Sequence, residues 1–316
     1  MASEDRLAEA FLGEPRRYTS HQVAEMAGVP VYRARRYWRA LGFANVADDA
    51  VEFTESDVIA LKTMLTLVED GVYDEEHVLL MARSLGRATA RLAESQAELG
   101  AEALDHAGVP IKQRPAAWRK RAMRVVPDLE RLMTYAWRRN LAVSAGRLAD
   151  QDTHAVRLAV GFADLVGFTR LSRQLTETEL AGLVERFESR SADVVTLYGG
   201  RVVKTLGDSV LFVADKAHDV AEVGLRLVES HRRVKNMPQL RVGLAIGPVI
   251  LRMGDVFGTT VNLASRLTAL ANPGTILAGP MLAEELADDT SFQVIPVNRL
   301  TVRGLGELVP SAIQRS

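Results

Sequence analysis

The sequence predicts an all-helical N-terminal half followed by an α+β C-terminal half. Three observations carry that division. Apolar residues recur at helical spacing through the first 147 positions, with no strand pattern. From Val156 onward, short β-rich runs alternate with helical periods. Between them lies a polar joint, Ala149-Asp150-Gln151-Asp152, which sets the expected boundary at residues 1–150 and 151–316.

The bulk properties suit two ordinary domains. A chain of 316 residues is long enough for each half to bury its own core, and 47% hydrophobic with 25% charged residues is a globular composition. Residues 1–150 hold 21 basic and 22 acidic side chains, and residues 151–316 hold 18 of each. Neither half has the basic excess of a dedicated nucleic-acid binder. The absence of cysteine excludes disulfides, thiolate zinc sites and cysteine nucleophiles. Met1-Ala2-Ser3-Glu4-Asp5-Arg6 lacks the basic-then-apolar order of a signal peptide, and the longest apolar stretch, Val242–Leu251, is too short to span a bilayer. A soluble, cytoplasmic protein without a transmembrane segment is expected.

In the first half, Ser20 is the expected cap of a helix through Val23, Ala24 and Ala27, stopped by Gly28. A second helix carries Val31, Ala34, Trp38 and Leu41. Thr54 caps a third over 55–69, and residues 74–105 continue as amphipathic helix. After the proline-marked break at Pro110 and Pro115, two helical stretches are expected at 116–125 and 127–147.

In the second half, Val156–Phe162 reads as a buried strand ending at Asp164. Thr176 and Glu179 form a capping box for a helix that Gly199-Gly200 ends. Arg201–Leu206 and Ser209–Ala214 form a hairpin around Gly207-Asp208. A helix at 217–235, a strand at 240–246, a helix at 259–271 and shorter elements complete the half.

Several side chains there point to phosphoryl chemistry. Asp164 ends an apolar strand, and Asp208 sits at a hairpin tip. Two carboxylates so placed either hold hard divalent cations about 4 Å apart or are ordinary turn residues. The loop Leu165-Val166-Gly167-Phe168-Thr169 leads into a helical segment whose amides could cradle phosphates. Lys204, within Val202, Val203 and Leu206, and Asp255, in Gly254-Asp255-Val256, offer a donor and an acceptor. That pair suits adenine N1 and its exocyclic amine, whereas guanine presents the opposite pattern; a structural ion pair is the plainer alternative. Asn262 and Arg266 lie four apart and share one helix face, fit either to orient a ribose and neutralise a phosphate or simply to face solvent.

The order and spacing of these segments resemble the class III nucleotide cyclase catalytic domain over roughly residues 153–310. The segments are Phe162-Ala163-Asp164-Leu165-Val166-Gly167-Phe168-Thr169, Lys204-Thr205-Leu206-Gly207-Asp208, and Asp255-Val256-Phe257-Gly258 through Asn262 and Arg266. The resemblance implies a ferredoxin-like α+β fold and conversion of ATP to 3′,5′-cyclic AMP and pyrophosphate. It implies two divalent cations (Mg2+ or Mn2+) at Asp164, Leu165 and Asp208. Lys204 and Asp255 would read adenine, with Phe168, Thr169 and Arg303 also on the substrate and Asn262 and Arg266 catalytic. Its sites lie between two catalytic domains, so a chain carrying every role implies a homodimer. Only seven residues separate Gly247 from Asp255, a short arm like that of the bacterial class IIIc subgroup.

The N-terminal half resembles the regulatory domain of soluble actinobacterial cyclases. Within it, residues 18–71 also resemble a MerR-like helix-turn-helix, with Tyr18-Thr19-Ser20-His21 opening the first helix and Arg33, Arg35, Arg36, Tyr37, Trp38 and Arg39 on the second. A DNA-binding regulator with a nucleotide-sensing tail is therefore the alternative function, although the charge balance speaks against a nucleic-acid partner. Small-molecule, lipid or pH control through the N-terminal half is left open by the basic run around Arg119-Lys120-Arg121 and by six histidines.

Overall fold

The computed structural model describes residues 2–149, 156–234, 237–302, 304 and 306–316; Asp150–Asp152 of the polar joint, His154 and Arg303 lie outside them. Contacts divide the chain into two units, Met1–Gly146 and Arg147–Ser316.

The first unit is helical: α1 (Ala2–Leu12), α2 (Ser20–Met26), α3 (Val31–Ala40), α4 (Glu55–Glu69), α5 (Glu75–His106) and α6 (Arg114–Ala149), with a 3-10 turn at Ile111–Gln113. Its core joins Val23, Ala34, Tyr37, Leu61, Leu65, Val78 and Leu79. The rings of Trp38 and Phe53 pack with centroids 4.4 Å apart, tilted by 34°. Two expectations need correction. Thr19, not Ser20, caps α2, because its side chain and that of Gln22 satisfy each other's backbone amides, while Ser20 is buried inside the helix. The expected stretches at 116–125 and 127–147 are one helix that runs through Pro127. A helix of 36 residues can absorb the one hydrogen bond that proline removes. Helix α1 had no reading in the sequence.

The second unit contains β1 (Val156–Leu165), α7 (Phe168–Leu171), α8 (Glu177–Leu197), β2 (Arg201–Thr205), β3 (Ser209–Ala214), α9 (Ala217–Arg232), β4 (Leu240–Arg252), β5 (Asp255–Phe257), α10 (Thr259–Leu270), β6 (Ile276–Ala278), α11 (Pro280–Glu285), β7 (Phe292–Pro296), β8 (Leu300–Val302), β9 (Gly306–Leu308) and β10 (Ser311–Arg315). The main sheet runs β2-β3-β1-β4-β6-β10-β7, with β5 paired to β4. The segment β1-α8-β2-β3-α9-β4 is thus two interleaved βαβ units, the ferredoxin-like arrangement. Strand β4 outruns the expected 240–246. It continues to Arg252 and returns as β5, pairing Arg252 with Asp255, so the short arm is a β-hairpin.

Strand alternation sorts the core onto two faces. Ala159, Ala163, Phe212, Val242 and Leu244 pack with α8 and α9 residues such as Phe187 and Leu227. Leu158, Val160, Leu211 and Ala245 pack with Val261 and Ala264 of α10. Gly243 sets the depth of α10: a Cβ there would lie 2.2 Å from the Thr268 amide nitrogen and 2.3 Å from the Ala264 oxygen. Gly243→Ala should therefore push α10 off the sheet and destabilise the unit by about 1–3 kcal/mol. A thermal melt together with turnover measures this, and an unchanged melting temperature would refute it.

His231 is buried against Phe187, with ring centroids 5.7 Å apart. Its Nδ1 donates to the Leu227 carbonyl oxygen at 2.8 Å, while Nε2 has no hydrogen-bond partner. Burial holds its pKa below the ordinary 6.5, with the nearby Arg190 charge acting the same way. Below pH 6.5 the unfolded chain then binds a proton that the native chain refuses. Stability is full above that pH and declines as pH falls toward the folded value. Denaturant midpoints from pH 7 to 5 should fall in the wild type and fall less in His231→Leu.

Candidate active site

Antiparallel pairing places Asp164 at the end of β1, opposite Ser209 on one side and Arg241 on the other. The Leu165 amide donates to the Asp208 carbonyl oxygen at 2.8 Å, which fixes the hairpin tip beside the strand end. The two carboxylates of the sequence reading are therefore brought together. Asp164 is 15% exposed at its side chain. Burial raises its pKa and the neighbouring Asp208 charge adds to that, while Arg241 opposes both. Leu165 itself is buried in the sheet core, so a cation could meet only its carbonyl oxygen.

Arg241 is the residue that sequence reasoning missed. Its Nε and Nη2 both donate to Asp164 Oδ2, at 2.6 and 2.5 Å, and Nη1 reaches the Ala269 oxygen at 3.4 Å. The available signal was an arginine between Leu240 and Val242 on a buried strand.

Lys204 and Asp255, 51 positions apart, also meet. Lys204 Nζ donates to Asp255 Oδ2 at 2.5 Å, and Asp255 Oδ1 accepts from the Val256 amide at 2.8 Å. Both side chains stay about a third exposed, at 33% and 28%. A shift in strand pairing between Val202 and Lys204 sets the lysine's place on β2.

Asn262 and Arg266 are exposed on α10, opposite the face buried through Val261, Ala264 and Leu267. Among the described residues, no hydrogen bond or ion pair joins them to the carboxylates or to the Lys204–Asp255 pair. Gly167, at φ 74°, turns the chain after β1 into the one-turn α7. Phe168 packs on the core and Thr169 is exposed. Amides of such a first turn have no intrahelical acceptor.

The family described as the adenylate and guanylate cyclase catalytic domain matches residues 151–313. The chain belongs to this family. The adenylate cyclase regulatory domain family matches residues 2–141 of this cyclase. An adenylate cyclase of Streptomyces coelicolor is 50% identical over 285 residues, covering 89% of this chain and 74% of its own length. One from Streptomyces griseus is 46% identical, covering 89% and 71%. The crystal structure of the adenylyl cyclase CyaB from P. aeruginosa aligns with a TM-score of 0.46 at 21% identity, over 52% of this chain and 97% of that one. Among the described residues no helix is long and apolar enough to cross a membrane.

Proposed function

We propose that this cyclase converts ATP to 3′,5′-cyclic AMP and pyrophosphate by two-metal-ion catalysis, at sites shared across a homodimer and controlled by residues 1–150. The Lys204–Asp255 pair carries the substrate assignment. An ammonium and a carboxylate held side by side match the adenine edge, and guanine would set a donor against the lysine and an acceptor against the aspartate. The similarity to adenylate cyclases over most of the chain supports the same reading.

Asp164 and Asp208 fit divalent cations. Their charges crowd one another, and a cation would relieve that repulsion. Among the described residues no cluster of three or more His, Asp or Glu side chains forms a closed cage. Mg2+ or Mn2+ held by two carboxylates, the Leu165 carbonyl and substrate phosphates suits such an open site. Cations bound there supply charge neutralisation and make the ribose 3′-hydroxyl more acidic. The chain's own work is positioning and charge. Lys204 and Asp255 orient the base, Asn262 orients the ribose, and Arg266 neutralises charge growing on the α-phosphoryl group. Phe168, Thr169 and Arg303 serve the triphosphate end, and Arg241 stands beside it. In this reading one subunit gives Asp164 and Asp208, and the other gives Lys204, Asp255, Asn262 and Arg266.

The MerR-like alternative finds less support. Arg33 Nε lies 2.9 Å from Glu75, Arg36 lies 3.7 Å from the same carboxylate, and Arg35 pairs with Asp48. Tyr37 and Trp38 are core residues. A helix whose arginines are held within its own unit offers little to phosphates or base edges. We assign the N-terminal residues to control of catalysis instead.

Product analysis from ATP and GTP, each with Mg2+ and Mn2+, tests the proposal. Cyclic AMP from ATP should dominate, and Lys204→Ala should erode the preference. Comparable turnover of GTP by the wild type would refute the base-reading assignment.

A further inference from the structure

The hairpin of β4 and β5 closes through two residues that both lie in the left-handed region, Met253 at φ 53° and Gly254 at φ 79°. A two-residue turn of this kind needs positive φ at both places, and glycine, asparagine or aspartate normally supplies it. Met253 is the sole non-glycine residue with positive φ among the described residues. A side chain with a Cβ is strained in that conformation. The chain therefore holds strain at the one turn that sets the cross-strand neighbour of Asp255, and strain of this sort collects at working sites.

That neighbour is Arg252. The register sets it directly opposite Asp255, so the two side chains leave the same face of the hairpin with Cβ atoms about 5 Å apart. Val256, the next residue, points the other way and is buried with Val261 and Ala264 of α10. Asp255 Oδ2 accepts from Lys204, and Oδ1 accepts from the Val256 amide. Arg252 is exposed, and among the described residues its side chain has no hydrogen bond or ion pair. A guanidinium with its donors unengaged thus stands beside the base-reading carboxylate.

We propose that Arg252 is a positioning residue for base selection, taking hold of Asp255 when Lys204 turns to the purine. The inference rests on the base-reading assignment of Lys204 and Asp255. While Lys204 holds Oδ2, a second cation gains little there. Adenine changes the balance. Its exocyclic amine replaces the hydrogen bond from Lys204, but the amine is neutral and leaves the carboxylate without a contacting counter-charge. Arg252 supplies that charge from across the hairpin, and its planar fork of donors holds the carboxylate aimed at the amine. Arg252 therefore acts on the nucleotide only through Asp255, and only on a base that carries the amine.

Steady-state kinetics of the full chain on two nucleotides test this. ATP is compared with purine riboside 5′-triphosphate, which keeps N1 of the base and lacks the exocyclic amine. Arg252→Ala should raise KM for ATP about fivefold with kcat nearly unchanged, and raise KM for the amine-free nucleotide by less than about twofold. Arg252→Lys keeps the charge and should recover most of the loss. An equal rise for both nucleotides would mean a phosphate contact or a damaged hairpin and would overturn the proposal. An unchanged KM for ATP, or a loss confined to kcat, would overturn it too. Circular dichroism melts accompany each variant. Should Arg252→Ala fail to fold, Arg252→Gln, which keeps the stem and loses the charge, is read by the same criterion. Lys204→Ala, measured alongside, separates this inference from the base-reading assignment. Lys204 serves N1, so its loss should raise KM for both nucleotides. A rise there without one at Arg252 removes Arg252 and leaves base reading standing; no rise from either variant removes base reading and this inference with it.

Discussion

Arg266→Ala should lower kcat on the order of a hundredfold, about 3 kcal/mol of transition-state stabilisation, as expected when one preorganised donor is lost. The side chain stands exposed on α10, one turn after Asn262, while that helix is held to the sheet by its other face. Removing the guanidinium therefore leaves the packing of Val261, Ala264 and Leu267 intact. Thermal stability should not change. Because charge on the phosphoryl oxygens grows during reaction, the loss belongs in kcat, with KM for ATP nearly constant. Arg266→Lys keeps the charge without the planar fork and should recover only part of the rate. Steady-state kinetics on folded variants decides it, and an unaltered kcat would remove Arg266 from the mechanism.

Mixing two inactive variants should restore activity. On the proposed assignment, Asp208→Ala lacks a metal ligand and Arg266→Ala lacks the phosphate-neutralising group. In a mixed dimer, one site collects both defects and the other collects neither. Random exchange makes half the dimers mixed, so about a quarter of wild-type sites should work. Each variant alone should stay near background. If mixed dimers form and turnover does not rise above the sum of the parents, the sites are not shared. The experiment is sensitive to Lys204 and Asp208 as well, four residues apart in sequence yet assigned to opposite sites.

Local signals in the sequence foretold local structure. Thr54 with helix α4, the Thr176/Glu179 box and the hairpin at Gly207-Asp208 all follow from contacts within a few residues, and all are present. The four-residue spacing of Asn262 and Arg266 likewise gave their common exposed face on α10. Long-range pairing is where legibility ended. Arg241 reaches Asp164 across 77 positions only because β1 and β4 align in one register, and no local pattern encodes that register. The strand expected at 240–246 ends just before Gly247-Pro248, short of the observed end at Arg252. The extended backbone and the pairing with β5 carry the strand past that dipeptide. Pro127 misled in the opposite way: one missing donor did not outweigh the propensity of the long helix around it.

The Lys204–Asp255 contact has a consequence for selectivity. On the proposed assignment each base-reading group also serves as the other's ligand, so an incoming purine must compete with the protein's own side chains. A pair this exposed is worth about 1 kcal/mol or less, so adenine, which offers a replacement for each partner, loses almost nothing by separating them. Guanine separates the same pair and returns neither bond. The cost of opening the internal contact is common to every base, so on this assignment selection rests on which base repays it.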